Sequence, residues 1–233
     1  MYQGKTFLGI IPARGGSKGI PRKNIKILAD KPLISWTIEE ALKSTFFDRV
    51  ILSSEDNERI EVAKKYDCDI PFIRPKELAM DDTPAIDVVL HALGAIEEKY
   101  DFIVLLQPTS PIRKAFHIDE AISFLIKNES RSLVSVCEVK KSPFWMFTID
   151  RHNNLKPIFE SNIPLRRQDS PQIYILNGAI YIASPSFLNI NKTFLDKETI
   201  SFIMDAKASF DIDDELDWTI CQTIINDAAL EQH

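Results

Sequence analysis

The hydrophobic residues of this chain recur at two different spacings, which alternate along its first half. Short, continuously apolar runs are typical of strands buried in a parallel sheet, whereas apolar residues that return every three or four positions mark one face of a helix. The runs that predict strands are Phe7–Ile11, Val50–Leu52, Phe102–Leu106, Leu133–Val139 and Ala179–Ile182. The stretches that predict helices lie around residues 34–42, 60–64, 86–96 and 118–125. This alternation predicts an α/β fold with a mostly parallel sheet and right-handed crossovers.

The ends of the predicted elements indicate where chemistry should be sought. Thr83 is expected to cap the helix that follows it, with Pro84 at the first helical position. In open α/β sheets, ligands bind beyond the carboxyl ends of the strands. The residues just after Ile11, Leu106 and Phe210 are therefore the expected positions of functional side chains.

The regular alternation loosens between residues 140 and 170. Pro143–Phe147 places three aromatic side chains beside a proline, and short extended pieces around Phe147 and Ile158 predict a protruding hairpin or arm. An exposed aromatic cluster often covers a partner surface, although the same residues can instead fold back on their own domain. Since the chain contains no evident linker or internal repeat, residues 1–233 are predicted to form one domain that carries this arm.

The composition narrows the classes of function. The net charge of −6 argues against a broad nucleic-acid-binding surface, because phosphate backbones require basic faces. The sequence shows neither a secretory signal pattern nor an apolar run of membrane-spanning length, so a cytoplasmic protein without a membrane partner is expected. Cys68, Cys137 and Cys221 form no CxxC pair, which argues against a zinc site or a cysteine nucleophile.

The strongest chemical signal is a glycine-rich basic loop that follows the first predicted strand. Its four cations are Arg14, Lys18, Arg22 and Lys23, and its glycines are Gly15, Gly16 and Gly19. Glycines let backbone N–H groups approach a ligand, while arginine and lysine supply charge, so the loop suits a polyphosphate. Neither the Walker A pattern nor the G-x-G-x-x-G fingerprint is present. The alternative is a solvated basic loop, but its position after strand one favours phosphate binding.

Five short segments extend this signal along nearly the whole chain. They are Ile11–Asn24, Arg74–Ala79, Gln107–Arg113, Asn177–Tyr181 and Asp211–Asp213. In this order they resemble the CMP-sialic acid synthetases, also called acylneuraminate cytidylyltransferases. The resemblance implies a Rossmann-like three-layer nucleotidyltransferase fold, CTP as donor, a divalent metal, and a homodimer to which the 140–170 arm contributes.

The resemblance also implies roles for individual side chains. The residues that would bind the nucleotide are Arg14, Gly15, Ser17, Lys18, Lys23, Asn24, Arg74, Thr83 and Ala85. The residues that would contact the sugar are Gln107, Arg167, Asn177 and Tyr181. Arg14, Lys23 and Asp211 would be catalytic. Judged without the resemblance, Arg167 is equally a solvated arginine and Tyr181 equally a core residue of its strand.

Two carboxylates near the C-terminus are candidates for metal binding. If Phe210–Asp213 ends the sheet as a strand, the i, i+2 spacing places Asp211 and Asp213 on one face. Oxygen ligands in this arrangement suit Mg²⁺, with Mn²⁺ as the alternative ion. A second interpretation makes Asp213 the cap of the last helix. The neighbouring acidic residues, which we assign to the N-terminal end of that helix, are Asp214, Glu215 and Asp217.

The resemblance predicts a transfer of CMP from CTP to the anomeric hydroxyl of a nine-carbon 2-keto sugar acid, with release of pyrophosphate. The sugar would be of the sialic, legionaminic or pseudaminic type. Phe144–Met146 stands where the family tends to carry a basic residue, and Ile175 lies close to the position of a second arginine. These departures favour a sugar with apolar acylamino groups.

Three other functions are compatible with parts of the sequence. A Kdo cytidylyltransferase would perform the same chemistry on an eight-carbon sugar. A catalytically inactive nucleotide-binding module would retain the loop but not the reaction, against which Lys23, Asp211 and Asp213 argue. An NAD-dependent oxidoreductase would need an acidic residue at the end of the second strand, for which Glu55 is the candidate.

Overall fold

The computed structural model describes residues 1–159 and 171–230. The strands are β1 (Phe7–Pro12), β2 (Ile27–Leu28), β3 (Lys31–Pro32), β4 (Arg49–Ser53), β5 (Phe102–Leu105), β6 (Ser132–Glu138), β7 (Phe147–Ile149), β8 (Leu155–Pro157), β9 (Tyr174–Ala183) and β10 (Ile200–Ile203). The helices are α1 (Leu33–Lys43), α2 (Asn57–Lys64), α3 (Ala85–Ala95), α4 (Ala115–Lys127), α5 (Pro185–Asn191) and α6 (Glu215–Leu230). Short 3₁₀ turns occur at Lys23–Ile25, Lys76–Ala79 and Pro143–Trp145.

The central sheet has six strands in the order β10-β6-β9-β5-β1-β4. Strand β1 is parallel to both β4 and β5, and β10 is parallel to β6. Strand β9 is antiparallel to β5 and to β6, so the sheet is mostly parallel, as predicted. The carboxyl ends of β1 and β5 lie side by side, and this adjacency brings the residues that follow them together.

Alternation of side chains along the strands divides the core into two layers. In β1, Phe7 and Ile11 face one layer with α1, α2 and α4, whereas Leu8 and Ile10 face the other with α3 and α5. A third, smaller apolar cluster joins the loop after β1 to α6, and Ile212 lies fully buried within it. The sheet with helices on both faces confirms the predicted three-layer fold.

Two predicted boundaries are wrong. Residues 210–213 form no strand; the last strand of the sheet is β10, and Asp211 and Asp213 lie in an extended loop between it and α6. Helix α3 begins at Ala85, with Pro84 as its N-cap residue, because Pro84 has extended backbone angles. The hydroxyl of Thr83 donates to the carbonyl of Glu77 at 3.4 Å instead of capping the helix.

The predicted hairpin is present. Strands β7 and β8 pair antiparallel as a separate two-stranded sheet, with Phe147 opposite Pro157 and Ile149 opposite Leu155. All six of their residues are exposed. Residues 160–170 of the predicted arm lie outside the described residues. Across 1–159 and 171–230, no helix combines the length and apolarity required to cross a membrane.

Candidate active site

The loop after β1 and the segment after β5 form opposite walls of a cleft of about 370 Å³. We call residues 13–24 the cationic loop. The residues that line the cleft are Pro12, Arg14, Gly16, Ser17, Lys18, Gly19, Lys23, Asn24, Arg74, Leu78, Met80, Asp81, Thr83, Ala85, Val88, Gln107, Pro108, Thr109 and Asp213. Eight of the nine residues predicted to bind the nucleotide line this cleft, and the ninth, Gly15, does not.

Internal hydrogen bonds hold the cationic loop in one shape. The Ser17 hydroxyl donates to the Ile20 carbonyl at 2.5 Å and accepts from the Lys23 backbone N–H at 3.2 Å. The Asn24 side chain, which is buried, donates to the Arg14 carbonyl at 3.3 Å and so ties the end of the loop to its start. Ser17 and Asn24 therefore contribute to the cleft by shaping the loop as well as by lining it.

The loop also approaches the extended segment that carries the two aspartates. A Cβ added to Gly19 would lie 2.2 Å from the carbonyl oxygen of Asp213, so no larger residue fits without displacing backbone. The Lys23 ammonium donates to the carbonyl of Ile212 at 2.6 Å and lies 3.6 Å from a carboxylate oxygen of Asp213. Lys23 and the acidic segment thus share one cleft, although 189 residues separate Lys23 from Ile212 in the sequence.

Asp211 and Asp213 differ sharply in environment. The Asp213 side chain is 82% exposed and faces Lys23 from the cleft wall. Asp211 is only partly exposed and does not line the cleft, and its buried Oδ1 atom has no hydrogen-bond partner among the described residues. Burial raises the pKa of Asp211, and the like charge of Asp213 adds to this effect, against a hydrogen bond from Thr109 that lowers it. The two carboxylates do not share the face of a strand, contrary to the prediction.

The donor set at this position fits a hard divalent cation. A buried carboxylate oxygen without a partner is costly unless an ion or a donor satisfies it. No trio of His, Cys, Asp and Glu side chains within the described ranges is arranged to hold a metal alone. Mg²⁺ needs no such trio, since it binds through one or two carboxylates and completes its coordination shell with water and phosphate oxygens.

Arg14 and Lys18 are both paired with a residue that the sequence interpretation missed. Asp81, on the opposite wall, accepts from Arg14 Nη1 at 2.5 Å and lies 3.1 Å from Lys18 Nζ through its second oxygen. Hydrogen bonds from Lys18 and Arg14 hold the pKa of Asp81 below its usual range. Two of the cations that were predicted to bind the triphosphate are therefore ion-paired with a carboxylate of the protein itself.

A second cavity of about 220 Å³ adjoins the cleft and shares Ala85 and Gln107 with it. It is predominantly apolar, and the residues that line it are Pro84, Ala85, Ile86, Leu105, Gln107, Tyr181, Lys192, Thr193, Phe194 and Leu195. The Tyr181 and Phe194 rings are 5.5 Å apart, and burial raises the pKa of the Tyr181 hydroxyl. Two of the predicted sugar contacts, Gln107 and Tyr181, thus meet in one place beside the cleft of the cationic loop.

Comparison with known proteins now assigns the family. Residues 8–217 match the family described as Cytidylyltransferase. This chain belongs to the cytidylyltransferase family. It is 36% identical to the CMP-N,N'-diacetyllegionaminic acid synthase of Legionella pneumophila, over 94% of this chain and 96% of that protein. It is 37% identical to the N-acylneuraminate cytidylyltransferase of Escherichia coli, over 94% of this chain and 52% of that longer protein.

A solved structure supports the fold independently of sequence. The CMP:2-keto-3-deoxy-manno-octonic acid synthetase complexed with CTP superposes with a TM-score of 0.73 and covers 96% of this chain and 99% of its own, at 14% identity. Similarity at this identity establishes a shared fold. The six-stranded sheet of this cytidylyltransferase, with helices on both faces, therefore belongs to a fold that this solved structure shares.

Some predicted residues of this cytidylyltransferase lie in the supporting structure rather than in either cavity. Asn177 is buried: its Oδ1 accepts from Ser135 at 2.5 Å and its Nδ2 donates to Ser209 at 2.9 Å. Its side chain therefore links β9 to β6 and to the turn before Asp211, and lines neither cavity. Arg167, the remaining predicted sugar contact, lies outside the described residues.

A fully buried arginine supports the end of β5, where Gln107 follows the strand. Arg113 donates to the carbonyls of Gln107 at 3.2 Å and Ala179 at 2.7 Å, and to the Thr37 hydroxyl at 2.8 Å. Burial lowers its pKa to about 9. These bonds join the end of β5 to β9, where Gly178 has a φ of +73° and leaves room for the Gln107 side chain.

Among the residues that the sequence interpretation missed, Glu55 had a weak but usable signal, whereas Asp81 and the loop from Lys192 to Leu195 had none. Glu55 follows the carboxyl end of β4, a position at which α/β sheets place functional groups, yet only an NAD-binding role was considered for it. Asp81 and the loop from Lys192 to Leu195 lie in irregular segments, for which hydrophobic periodicity predicts nothing. Only the tertiary fold brings them to the cavities.

Proposed function

We propose that this cytidylyltransferase transfers CMP from CTP to the anomeric hydroxyl of a nine-carbon 2-keto sugar acid and releases pyrophosphate. The observation that carries the proposal is the position of the Lys23 ammonium, 2.6 Å from the carbonyl between the two aspartates and inside the cleft lined by the cationic loop. A triphosphate needs cations on one side and a metal-binding carboxylate close by, and this cleft offers both. The family and the two relatives at 36% and 37% identity support the same reaction.

In this reaction the sugar hydroxyl attacks the α-phosphorus in line and gives up its proton to solvent, and the bond from that phosphorus to the pyrophosphate oxygen breaks. Lys23 and Arg14 lie where they can stabilise negative charge on the phosphates, and the shape of the loop keeps them there before substrate arrives. Asp211, with Asp213 beside it, would hold Mg²⁺ or Mn²⁺. The ion, when bound, would neutralise phosphate charge.

The second cavity suits the sugar. Gln107 separates it from the nucleotide cleft, and the aromatic rings of Tyr181 and Phe194 form an apolar wall. Acylamino groups carry methyl groups that such a wall can bury. We therefore propose a diacetamido sugar acid of the legionaminic or pseudaminic type, in preference to N-acetylneuraminic acid.

The protruding hairpin supports a homodimer. Phe147, Ile149, Leu155 and Ile158 expose apolar side chains on or beside the hairpin, and Tyr174–Leu176 at the start of β9 are exposed as well. Several large apolar side chains exposed on one hairpin are typical of a protein interface. A second copy of this chain is the partner we propose.

A substrate panel tests the function. The protein is incubated with CTP and MgCl₂ and with legionaminic, pseudaminic, N-acetylneuraminic or eight-carbon Kdo acid, and CMP-sugar and pyrophosphate are both quantified. We expect product with nine-carbon acids, with the highest kcat/KM for a diacetamido sugar. Product from Kdo alone would replace the proposal with the eight-carbon reaction. Tight binding of CTP without product from any acid would indicate an inactive nucleotide-binding module.

A further inference from the structure

We propose that Glu55 is a positioning residue that determines the choice of pyrimidine base by holding Arg74 in the wall of the nucleotide cleft. The inference rests on the proposed use of CTP and adds Glu55 to the residues on which recognition of CTP depends. Glu55 itself does not line the cleft, whereas Arg74 does. Its influence on substrate therefore has to pass through the groups that it binds.

Each carboxylate oxygen of Glu55 accepts a hydrogen bond from a different wall of the site. Oε1 accepts from the backbone N–H of Gly15 at 2.5 Å, at the start of the cationic loop. Oε2 accepts from Arg74 Nη2 at 2.6 Å, in a pair whose side chains are 12% and 2% exposed. Ion pairs screened so fully from water are sensitive to the loss of one partner. Because both of its carboxylate oxygens already accept hydrogen bonds within the protein, Glu55 is poorly suited to bind the ribose of NAD, as the oxidoreductase alternative would require.

Backbone bonds reinforce the same junction. At the end of β4, the Ser53 carbonyl accepts a hydrogen bond from the N–H of Ala13 at 3.0 Å. The next carbonyl, of Ser54, accepts from the N–H of Arg74 at 2.9 Å. The start of the cationic loop and the main chain of Arg74 are therefore already fixed. What Glu55 adds is the orientation of the guanidinium, since it is the partner that the structure gives to that side chain.

The orientation matters because a guanidinium offers donors only. Cytosine presents an acceptor at N3, whereas uracil presents an N3–H donor at the same place. An arginine held rigidly against the base can donate to N3 of cytosine. Beside uracil the same arginine faces another donor and is left unpaired. The Nε atom of Arg74 is buried and has no partner among the described residues, so one donor of this arginine is still unused.

Arg59 offers a matched control for this argument. It is 3% exposed and donates to the carbonyl of Gly15 at 2.9 Å, so it holds the same residue of the loop as Glu55 does, through the following peptide group. Its other bonds go to Asp56 and Glu58, and none is made to Arg74. A change at Arg59 should therefore disturb the loop without changing the orientation of Arg74.

The experiment compares CTP with UTP in the wild type and in Glu55→Gln, Arg59→Lys, Arg74→Lys and the Glu55→Gln/Arg74→Lys double variant. Binding of each nucleotide is measured by calorimetry without sugar, and kcat/KM is measured with a nine-carbon sugar acid. Glutamine has one acceptor oxygen and can satisfy only one of the two donors. We expect the CTP-to-UTP ratio to fall about tenfold in Glu55→Gln. In Arg59→Lys we expect weaker binding of both nucleotides and an unchanged ratio.

The double variant shows whether Glu55 acts through Arg74. Its ratio should equal that of Arg74→Lys alone, because residues that act as one unit are not additive. A wild-type ratio in folded Glu55→Gln, or a further fall in the double variant, would overturn the inference. If Glu55→Gln fails a thermal-unfolding check, Glu55→Asp takes its place: it keeps the charge but is one methylene shorter, so it also cannot reach both donors.

Binding and turnover separate the two proposals. A wild type that binds CTP in preference to UTP, but makes no CMP-sugar, would refute the proposed reaction and leave the role of Glu55 open to the same ratio test. A wild type that binds CTP and UTP equally would refute the role of Glu55, whatever its turnover.

Discussion

The cationic loop and the exposed hairpin are both irregular in sequence, yet the structure treats them in opposite ways. In the loop, Ser17, Lys23 and Asn24 are tied to neighbouring backbone, and Gly19 touches the carbonyl of Asp213. The hairpin of residues 147–157 is held by its own ladder and leaves its apolar side chains in solvent. The contacts of the loop hold charged groups in place, whereas those of the hairpin leave apolar side chains exposed.

This contrast shows what each task requires. Stabilising a charged transition state depends on groups that are already oriented, because reorganisation at the moment of reaction raises the barrier. Association depends mainly on apolar area and shape, for which a compact internal scaffold is not needed. Two expectations follow from the contacts: the loop should tolerate little change, and one copy of the chain should fold without help from the apolar side chains of the hairpin.

The largest effect is expected from Lys23→Ala. Loss of an oriented cation beside the phosphates should lower kcat by about 10²–10³-fold, while the fold persists. Lys26→Ala is the matched control, since Lys26 bonds to Glu215, lies over the Trp218 ring and does not line the cleft. Steady-state rates with CTP and a nine-carbon acid measure both. Wild-type turnover in Lys23→Ala would remove the loop from the mechanism.

The next effect concerns the hairpin. Ile149→Lys should weaken the proposed dimer by about 10²-fold, because a buried isoleucine contributes roughly 1.5–3 kcal/mol and a lysine in its place brings an unpaired charge. Analytical ultracentrifugation measures the association. Leu216→Lys is the control: the two residues are 68% and 67% exposed, but Leu216 lies on α6, away from the hairpin. Equal association in both variants would contradict the interface.

Gly19→Ala should have a smaller effect on both stability and activity. The added Cβ would meet the Asp213 carbonyl at 2.2 Å, and relief of such overpacking costs roughly 1–3 kcal/mol. Displacement of the loop should lower kcat/KM about tenfold. Gly94→Ala, in helix α3, meets nothing within 4 Å and should not lower the melting temperature. Equal melting curves for the two variants would show that the loop is not tightly packed there.

The smallest effect is expected from Asp81→Asn. Since Asp81 pairs with Arg14 and Lys18, a triphosphate has to displace it, and its removal should lower the KM for CTP by up to about fivefold. Asp82→Asn controls for net charge. The pKa of Asp81 is lowered in the folded protein, so its ion pairs persist at neutral pH and are lost as pH falls through that lowered value. Wild type and Asp81→Asn should therefore converge in CTP binding at acid pH.

Much of the fold followed from hydrophobic spacing, because buried strands and amphipathic helices have distinct periods. The strands β1, β4, β5 and β6 were predicted within about one residue of their observed bounds. The prediction failed at Phe210–Asp213, where alternation of apolar and acidic residues imitates a strand. Ile212 is buried and the aspartates are not equivalent, because this segment packs against the cationic loop and α6 instead of pairing with a neighbouring strand.

By itself, the sequence determined the strands β1, β4, β5 and β6 with the helices between them, the cationic loop after the first strand and the presence of two aspartates near the C-terminus. These are local properties of spacing and residue type. Only the tertiary structure decided that Asp81 forms an ion pair with Arg14 of the cationic loop and that Glu55 accepts hydrogen bonds from both Gly15 and Arg74. It also decided that the Asn177 side chain is bonded within the core, where it supports the site. Such contacts join residues far apart in the chain, and their partners are set by how the strand ends are juxtaposed, which no local pattern encodes.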